Sequence, residues 1–370
     1  MAIETSSKEP INAIDRLRAH RNADDVAKSK RVQHVLNAYL PLPRDEELKD
    51  RLNDLIEHCA MALEQVSEGR ARGRLLEGRA FCLIGQSGTG KTTVLHKALA
   101  RVKAFEGYQD PTSDSLLISI VAPSPGVSKQ VAMQLLRALG YKTERVLQEN
   151  VAWDLVRRQI ALRGVRFVHI DELQHIHQVP NPIEIQKVRD TLKSLMQNSV
   201  WPVSLILSGT PEIAPFLQAD TQIRRRCTIV RFDSLSMPRD IAIVRTIVTQ
   251  FCQRGGLEHD GLIRDPRSKE DKATDEFVRR LAHASIDEIG IVIEMVQDAI
   301  TIAIRAGDDK LTDGHFASAY QRRTGCDAMR NVFLASEWET IDVRSALYPE
   351  NALEEEDRSR RRSVKNGSTH

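Results

Sequence analysis

The sequence predicts an α/β protein in which a parallel five-stranded sheet is flanked by helices and is followed by a small all-helical domain. Five short apolar runs alternate with stretches long enough for a helix, at residues 80–84, 116–121, 165–170, 203–207 and 228–232. Strands that are separated by helical crossovers pair in parallel and are buried on both faces, so they read as continuous apolar runs. After Met237 and Pro238 only helical patterns follow, at residues 241–251, 275–284, 287–304 and 313–320.

The composition excludes a disulfide-stapled mini-protein. Hydrophobic residues make up 41% and charged residues 28% of the 370 residues, which is typical of a globular protein of about two or three domains. No apolar run approaches the roughly 20 residues of a membrane-spanning helix, and the first residues lack the basic-then-apolar order of a secretory signal. We therefore expect a cytoplasmic protein without a membrane partner.

Neither the cysteines nor the net charge indicates a particular ligand. The five cysteines are scattered and none is spaced as CxxC, so free thiols are expected. Lys plus Arg number 53 against 51 for Asp plus Glu, a formal net charge of +2, which does not predict a nucleic-acid binder. His169, His175 and His177 surround an acidic segment, but their spacing does not match a helical pair of zinc ligands.

The chain divides into four predicted segments. Residues 1–38 are polar, with basic clusters and weak apolar periodicity, which predicts an N-terminal arm. Pro41 and Pro43 interrupt any helix there, because each proline disfavours helix in the residue before it, and a helix can restart at Asp45. The α/β domain is expected at residues 39–236, the helical domain at 237–345, and a charged, disordered tail at 346–370.

A glycine-rich segment after the first apolar run matches the pattern GxxxxGK[ST]. The match consists of Gly85, Gln86, Ser87, Gly88, Thr89, Gly90, Lys91 and Thr92, with Thr93 following. In such a loop the backbone N–H groups surround the phosphates, the lysine reaches the β- and γ-phosphates, and the hydroxyl of Thr92 binds Mg²⁺. The helix that begins here adds its positive end to the anion site. We therefore predict a nucleotide site; a loop with a structural role only is the alternative.

Two carboxylates, Asp171 and Glu172, end the third apolar run. The second half of a P-loop nucleotide site is an acidic residue at the end of another strand. We predict that Asp171 is the magnesium partner and that Glu172 is the base that orients or deprotonates the attacking water. Surface charge at a strand end is the alternative.

Polar residues next to the fourth and fifth runs are candidates for the rest of a hydrolytic site. Ser208, and in second place Thr210, is predicted to lie close to the γ-phosphate and to hold the water; a simple turn is the alternative. Arg224, Arg225 and Arg226 directly precede the fifth run. An arginine from a neighbouring subunit often stabilises the transition state of P-loop enzymes, and Arg225 or Arg226 is the predicted one. A solvated basic turn is the alternative.

These motifs together resemble an AAA+ ATPase of the initiator or clamp-loader type. The resemblance rests on the phosphate loop, the HIDE strand end, the SGTPE segment and the QIRRRC turn, followed by a helical domain. More narrowly, the sequence LPLPR ahead of the core, the SGTPE and QIRRRC pair, HF at 315–316 and RTG at 323–325 resemble the TniB/TnsC group of transposition regulators. The resemblance covers residues 32–345.

The resemblance implies a P-loop AAA+ core with a helical lid, ATPase activity, and ATP and Mg²⁺ as cofactors. It also implies head-to-tail assembly on double-stranded DNA without sequence preference, as a ring or a helical filament. A transposase and a target-selector protein are the implied partners, in a bacterial protein associated with DNA. A nucleotide held by one subunit and touched by an arginine of the next makes a heterologous contact, which generates rings or open helices.

The predicted lid departs from many AAA+ lids, because residues 286–291 contain no arginine that would face the γ-phosphate. Slow, regulatory turnover is therefore expected. For DNA contacts, the loop after the second strand is the best candidate, with Lys129 on a phosphate and Ser128 as a hydroxyl donor. An ordinary loop in which Ser128 caps a helix is the alternative. Two other functions stay open: a replication initiator or helicase loader, and a signalling NTPase that does not bind DNA.

Overall fold

A computed structural model describes residues 22–68, 77–142, 147–198, 200–259, 262 and 272–348. The chain forms two units. The sheet unit is Pro41–Ser234, and the helical unit combines the residues up to Leu40 with those from Leu235 onward. Residues 1–21 of the predicted arm and 349–370 of the predicted tail lie outside the described residues.

The sheet unit contains a parallel sheet of five strands, which confirms the predicted fold class. The strands are β1 (Ala80–Gly85), β2 (Leu117–Val121), β3 (Phe167–Asp171), β4 (Ser204–Gly209) and β5 (Cys227–Phe232). Their order across the sheet is β2-β3-β4-β1-β5, and each neighbouring pair is parallel. The three interior strands are buried along their whole length, whereas β5 at the edge has exposed positions. Interior strands of this kind are apolar throughout because both faces are covered.

Helices account for most of the remaining described residues. In the order of the chain they are α1 (Ala23–Leu36), α2 (Pro43–Ser67), α3 (Lys91–Ala100), α4 (Ser128–Ala138), α5 (Glu149–Leu162), α6 (Gln174–His177), α7 (Pro182–Met196), α8 (Ala214–Gln218), α9 (Thr221–Arg226), α10 (Ile241–Gly255), α11 (Lys272–Ala284), α12 (Ile289–Ala306), α13 (Asp313–Thr324) and α14 (Val343–Leu347). None of them is both long enough and apolar enough to cross a membrane.

One face of the sheet packs against α4, α5 and α7, and buried aliphatic side chains from these helices and from all interior strands form a single core. On the opposite face α2 and α3 contact β1. There the ring of Phe105 meets the ring of Phe167 edge to face, with 5.0 Å between centroids. The polar residues that end β3 and β4 therefore lie between the packed sheet and the N-terminus of α3.

Helix α2 begins at Pro43, two residues before the predicted restart at Asp45. Proline suits the first helical position because that residue's N–H has no partner within the helix. The Asp45 carboxylate accepts the N–H of Leu42 at 2.8 Å and so closes the start of the helix. The helix lies in the sheet unit, which makes the two prolines the junction with the helical unit.

The helical unit is built around α12, which contacts α10, α13 and α1. Residues 1–38 are predicted to form an arm, but the described helix of that segment, α1, belongs to this unit. Val32 and Val35 of α1 are buried, and Arg31 Nη2 donates to the carbonyl of Gly255 at 2.7 Å. The helix thus docks through two valines and side-chain bonds to backbone carbonyls, which leave only weak periodicity in the sequence.

Candidate nucleotide-binding site

The glycine-rich segment forms a tight loop between β1 and α3. Gly88 and Gly90 have φ angles of 84° and 83°, in the left-handed region that favours glycine. At Gly85 a Cβ atom would lie 2.7 Å from the carbonyl oxygen of Phe232, so a larger residue would push β1 and β5 apart. Helix α3 starts at Lys91. The strand, loop and helix N-terminus therefore have the arrangement that presents backbone N–H groups to a phosphate.

Two side chains of the loop donate to one carbonyl. Lys91, which is 7% exposed, donates from Nζ to the oxygen of Gln86 at 2.7 Å. The Thr89 hydroxyl donates to the same oxygen at 2.8 Å. These bonds hold the ammonium over its own loop, where the β- and γ-phosphates of a nucleotide would lie.

Asp171 ends β3 with a buried carboxylate that faces the start of α3. Its Oδ2 accepts from the Thr92 hydroxyl at 3.0 Å, and its Oδ1 accepts from Ser208 Oγ at 2.5 Å and from the N–H of Glu172 at 2.9 Å. Burial alone would raise the pKa of Asp171, but the hydrogen bonds and the nearby His169 outweigh it and lower the pKa below its usual value. The carboxylate is therefore ionised at neutral pH.

The pair Thr92 and Asp171 fits the magnesium ion that the fold implies. A hydroxyl and a carboxylate are hard oxygen ligands, and Mg²⁺ in nucleotide sites takes one or two such protein ligands and completes its shell with phosphates and water. Within the described residues no group of three or more His, Cys, Asp or Glu side chains could hold a metal by itself. A cation at Thr92 and Asp171 would thus depend on the nucleotide.

Glu172 follows Asp171 with a φ of 55°, a left-handed conformation that is uncommon outside glycine. Its carboxylate accepts a hydrogen bond from the Gln174 amide. The Gln174 Oε1 in turn accepts the N–H of Thr210 at 3.2 Å. The candidate base is therefore tied, through one buried amide, to the residue that follows β4.

The structure corrects the predicted role of Ser208. Its hydroxyl is fully buried and donates to Asp171 Oδ1, so the group that it orients is this carboxylate. Thr210, the second choice, has a buried Oγ1 without a hydrogen-bond partner among the residues that the structure describes. An unpaired buried hydroxyl costs free energy unless a ligand or water fills the vacancy. Thr210 is the better candidate for the water-holding residue.

The structure separates the two candidate arginines. Arg226 donates from Nε to Glu77 Oε2 at 2.8 Å and from Nη1 to the carbonyl of Gln222 at 2.9 Å. Arg226 is thus held by contacts within its own chain. Arg225 and Arg224 are exposed, and no contact of either guanidinium is seen in the described part of the chain. The role of Arg225 toward a second copy stays a prediction.

The two residues predicted to contact DNA also differ in burial and in hydrogen bonding. Ser128 is fully buried, and its hydroxyl accepts from Trp153 Nε1 at 2.9 Å. The serine therefore links α4 to α5, which corrects its predicted role as a hydroxyl donor to DNA. It does not cap the helix either, because Val127 is the N-cap. Lys129, on the first turn of α4, is half-buried, so its ammonium remains the candidate for a phosphate contact.

Two residues near the loop were not assigned a role from the sequence. Arg44 donates from Nη2 to the carbonyl of Thr89 at 2.6 Å, and its guanidinium lies 4.3 Å from the ring centroid of Phe232. It thus braces the loop from α2 and β5. His169 is fully buried and contacts Ser208, Ser119 and His96. The LPLPR motif contained Arg44, but its target is 45 residues away, and no sequence pattern indicates such a contact.

With this geometry established, the fold can be compared with known proteins. Residues 75–217 match the family of AAA domains. The chain is 23% identical over 147 residues to the spermidine/putrescine import ATP-binding protein PotA of Treponema pallidum, a match that covers 36% of this chain and 37% of that protein. The chain therefore spans well under half of this curated relative.

One solved structure extends the likeness beyond the sheet unit. The Aeropyrum pernix ORC1 protein, solved in complex with DNA, has a TM-score of 0.53 at 18% identity and covers 81% of this chain and 70% of its own. The Cdc6p structure from Pyrobaculum aerophilum has a TM-score of 0.49 at 14% identity and covers 78% of this chain and 69% of its own. The chain has a P-loop AAA+ fold with a helical C-terminal region.

Proposed function

We propose that this protein is an ATP-dependent, DNA-binding regulator of DNA transposition. It would oligomerise on duplex DNA and link the target DNA or a target-selector protein to a transposase, with ATP hydrolysis controlling assembly. The observation that carries the nucleotide-dependent part of the proposal is the hydrogen bond of 3.0 Å between Thr92 and Asp171, which joins the phosphate loop to an acidic strand end in an AAA+ fold.

The arrangement suits hydrolysis of a nucleoside triphosphate. Lys91 and the N-terminus of α3 bind the phosphates. Mg²⁺ held by Thr92 and Asp171 would offset the negative charge that phosphoryl transfer places on the phosphate oxygens. Glu172 accepts a proton from the attacking water, and the unpaired Thr210 hydroxyl orients that water. This assignment gives each polar residue at the end of β3 and β4 one task.

Arg225 supports regulation through assembly. Its guanidinium is exposed, and an arginine supplied by a second subunit stabilises the charge of the transferring phosphoryl group. A site completed by the next copy is a heterologous contact that repeats head-to-tail, as a ring or a filament. Loss of the γ-phosphate weakens that contact, so hydrolysis would release subunits.

The link to DNA and transposition has separate support. The LPLPR, SGTPE and QIRRRC segments resemble TniB/TnsC regulators, and the Aeropyrum pernix ORC1 protein of similar fold was solved in complex with DNA. Lys129 is the residue we assign to DNA phosphates. Such contacts are sequence-independent and weaken with salt.

A replication initiator or helicase loader is the second candidate. The observation that favours it is the likeness to ORC1, which extends over 81% of this chain and includes the helical region. Both candidates bind nucleotide and DNA, so they differ in the protein that they recruit. A signalling NTPase is the third candidate, and it predicts no DNA binding.

Electron microscopy and sedimentation with duplex DNA of unrelated sequences test the proposal. The protein is compared with ATP, with ADP and with a non-hydrolysable analogue, at low and at physiological salt. We expect rings or filaments on any duplex with ATP and with the analogue, and few with ADP. Failure to associate with DNA in every nucleotide state at low salt would contradict the proposal and favour the signalling switch.

The partner is tested on the assembled complex. Protein on biotinylated duplex DNA with the non-hydrolysable analogue is incubated in parallel with a purified transposase and with a purified replicative helicase from the same source. Nucleotide-dependent retention of the transposase supports the transposition regulator. Retention of the helicase alone would favour the helicase loader.

A further inference from the structure

A row of polar side chains crosses the sheet beside the phosphate loop. Ser119 on β2 lies opposite His169 on β3 in the strand register, and its Oγ is 2.8 Å from His169 Nδ1. On the other side, His169 Nε2 is 3.2 Å from Ser208 Oγ on β4. The imidazole is fully buried and lies between hydroxyls of both neighbouring strands.

The direction of every hydrogen bond in the row follows from its last member. The carboxylate of Asp171 accepts at both oxygens, from Thr92 at Oδ2 and from the N–H of Glu172 at Oδ1, so the Ser208 hydroxyl donates its proton to Oδ1. Ser208 must then accept from His169, which places the imidazole proton on Nε2. Nδ1 is left as an acceptor, and the Ser119 hydroxyl donates to it. The row therefore has one polarity, from Ser119 to Asp171.

Helix α3 contacts the same two residues of β3. Thr92 and His96 are four residues apart on one face of the helix, and Asp171 and His169 are two apart on one face of the strand. Thr92 donates to Asp171 at 3.0 Å, while the His96 ring lies edge-on to the His169 ring with centroids 5.9 Å apart. His96 is held in turn by the Tyr108 hydroxyl, 3.0 Å from its Nδ1.

We infer that His169 is a positioning residue for the magnesium carboxylate: its Nε2–H fixes the Ser208 hydroxyl so that Oδ1 of Asp171 is occupied and Oδ2 faces Thr92. The inference rests on the proposed nucleotide function. Without the imidazole, Ser208 can rotate its hydroxyl away and Asp171 loses a defined donor. Because Mg²⁺ demands near-octahedral geometry, a carboxylate that turns binds it less well. Residues that orient a metal ligand typically change metal affinity by about 10- to 100-fold.

Two substitutions distinguish positioning from packing. His169→Met removes both ring nitrogens and keeps an apolar side chain of similar length, whereas His169→Gln retains an N–H donor at the end of the side chain. His58→Met is the matched control, because His58 is also buried in the sheet unit and its Nε2 has no hydrogen-bond partner among the described residues. Thermal unfolding of all variants checks that each is folded.

The first readout is binding of a fluorescent ATP analogue as a function of Mg²⁺ concentration, with a parallel titration in EDTA. For His169→Met we expect the half-saturating Mg²⁺ concentration to rise about 10-fold, with affinity in EDTA unchanged. The half-saturating Mg²⁺ concentration of His169→Gln should remain within about threefold of the wild-type value. That of His58→Met should equal the wild-type value. An unchanged Mg²⁺ requirement in folded His169→Met would overturn the inference, as would equal losses with and without Mg²⁺.

The second readout needs no nucleotide. Imidazole ¹⁵N spectra of the wild-type protein, with the His169 signals assigned by their loss in His169→Gln, should report the Nε2–H tautomer. Ser208→Ala should shift these signals. An Nδ1–H tautomer would overturn the inference by itself. If the wild-type protein bound no nucleotide at any Mg²⁺ concentration, both the proposed function and this inference would be contradicted. An Nδ1–H tautomer in a protein that binds nucleotide would contradict the inference alone.

Discussion

Arg226 Nε lies 2.8 Å from Oε2 of Glu77, so the last turn of α9 is tied to the segment that leads into β1. The two residues are 149 positions apart in the chain. The contact links the residue before β5 to the segment before β1, and the neighbouring Arg225 is exposed. The ion pair thus separates one arginine with an internal partner from two that are exposed.

This division predicts opposite results for two alanine substitutions. Arg225→Ala should lower kcat on the order of 10³-fold, because an arginine supplied in trans is worth that much in phosphoryl transfer, and it should leave the unfolding temperature unchanged. Arg226→Ala should reduce the free energy of unfolding by about 1 kcal/mol, the net contribution of a hydrogen-bonded pair. Steady-state ATPase assays and thermal unfolding separate the two effects, and Glu77→Gln should reproduce the loss of stability.

Mixing inactive variants tests whether Arg225 acts on another subunit. Arg225→Ala keeps its own Glu172, and Glu172→Gln keeps its own Arg225. In an equal mixture that assembles head-to-tail at random, about a quarter of the interfaces combine an intact base with an intact arginine. ATPase activity should therefore return to about a quarter of the wild-type level. A mixture as inactive as its components would mean that Arg225 does not serve a neighbouring copy.

Ser208 and Thr210 should fail in different ways. Ser208→Ala removes a donor to Asp171, so we expect about a 10-fold higher Mg²⁺ requirement and near-normal turnover at saturating Mg²⁺. Thr210→Val keeps the shape and removes the hydroxyl, so we expect kcat to fall about 100-fold with unchanged nucleotide affinity. Magnesium titrations of ATPase activity give both parameters. If Ser208→Ala instead lowered kcat and Thr210→Val raised the Mg²⁺ requirement, Ser208 would be the residue that holds the water.

Arg44 should contribute to nucleotide affinity without touching the nucleotide's phosphates. It donates to the Thr89 carbonyl at 2.6 Å, and loss of such a charged donor costs about 1 kcal/mol. Arg44→Met should therefore weaken ADP binding about fivefold in calorimetric titrations. Arg51→Met on the same helix is the control, since its ion pair with Asp54 is exposed. Equal losses in the two variants would indicate a general effect on α2.

Lys129 and Ser128 are expected to separate DNA binding from stability. Lys129→Ala should weaken binding to every duplex equally and reduce the slope of log affinity against log salt by about 1. Ser128→Ala should leave that slope unchanged and reduce the free energy of unfolding by about 1 kcal/mol, because Trp153 loses its acceptor. Lys49→Ala serves as the control for a lost positive charge. An unchanged salt slope in Lys129→Ala would remove this loop from the DNA interface.

Local patterns were enough to predict the sheet and the phosphate loop. Buried parallel strands are apolar throughout, and the loop must combine glycines that adopt positive φ, as Gly88 and Gly90 do, with a lysine and a hydroxyl. Both signals lie within a few neighbouring residues. The assignment of Asp171 needed one further step, namely that the ends of parallel strands meet at one edge of the sheet.

The remaining residues depend on partners that sequence spacing does not indicate. Arg226 contacts Glu77, which is 149 residues away in the chain, and Ser128 accepts from Trp153, and neither spacing forms a recognisable sequence pattern. Ser208 was assigned to the correct strand end but to the wrong partner, because its orientation follows from the pairing of β3 with β4. Helix α1 docks through too few apolar residues to give a clear period.

Sedimentation of Glu172→Gln with duplex DNA is the most direct test of the claim that nucleotide binding at this loop drives assembly on DNA. The variant keeps Lys91, Thr92 and Asp171 and loses the base. With ATP and Mg²⁺ the variant should sediment with DNA as a large, persistent complex. Complexes of the wild-type protein should decay as ATP is consumed. With ADP, neither protein should form such a complex. Sedimentation with DNA that is the same with ATP, with ADP and without nucleotide, or no sedimentation with DNA at all, would contradict the account.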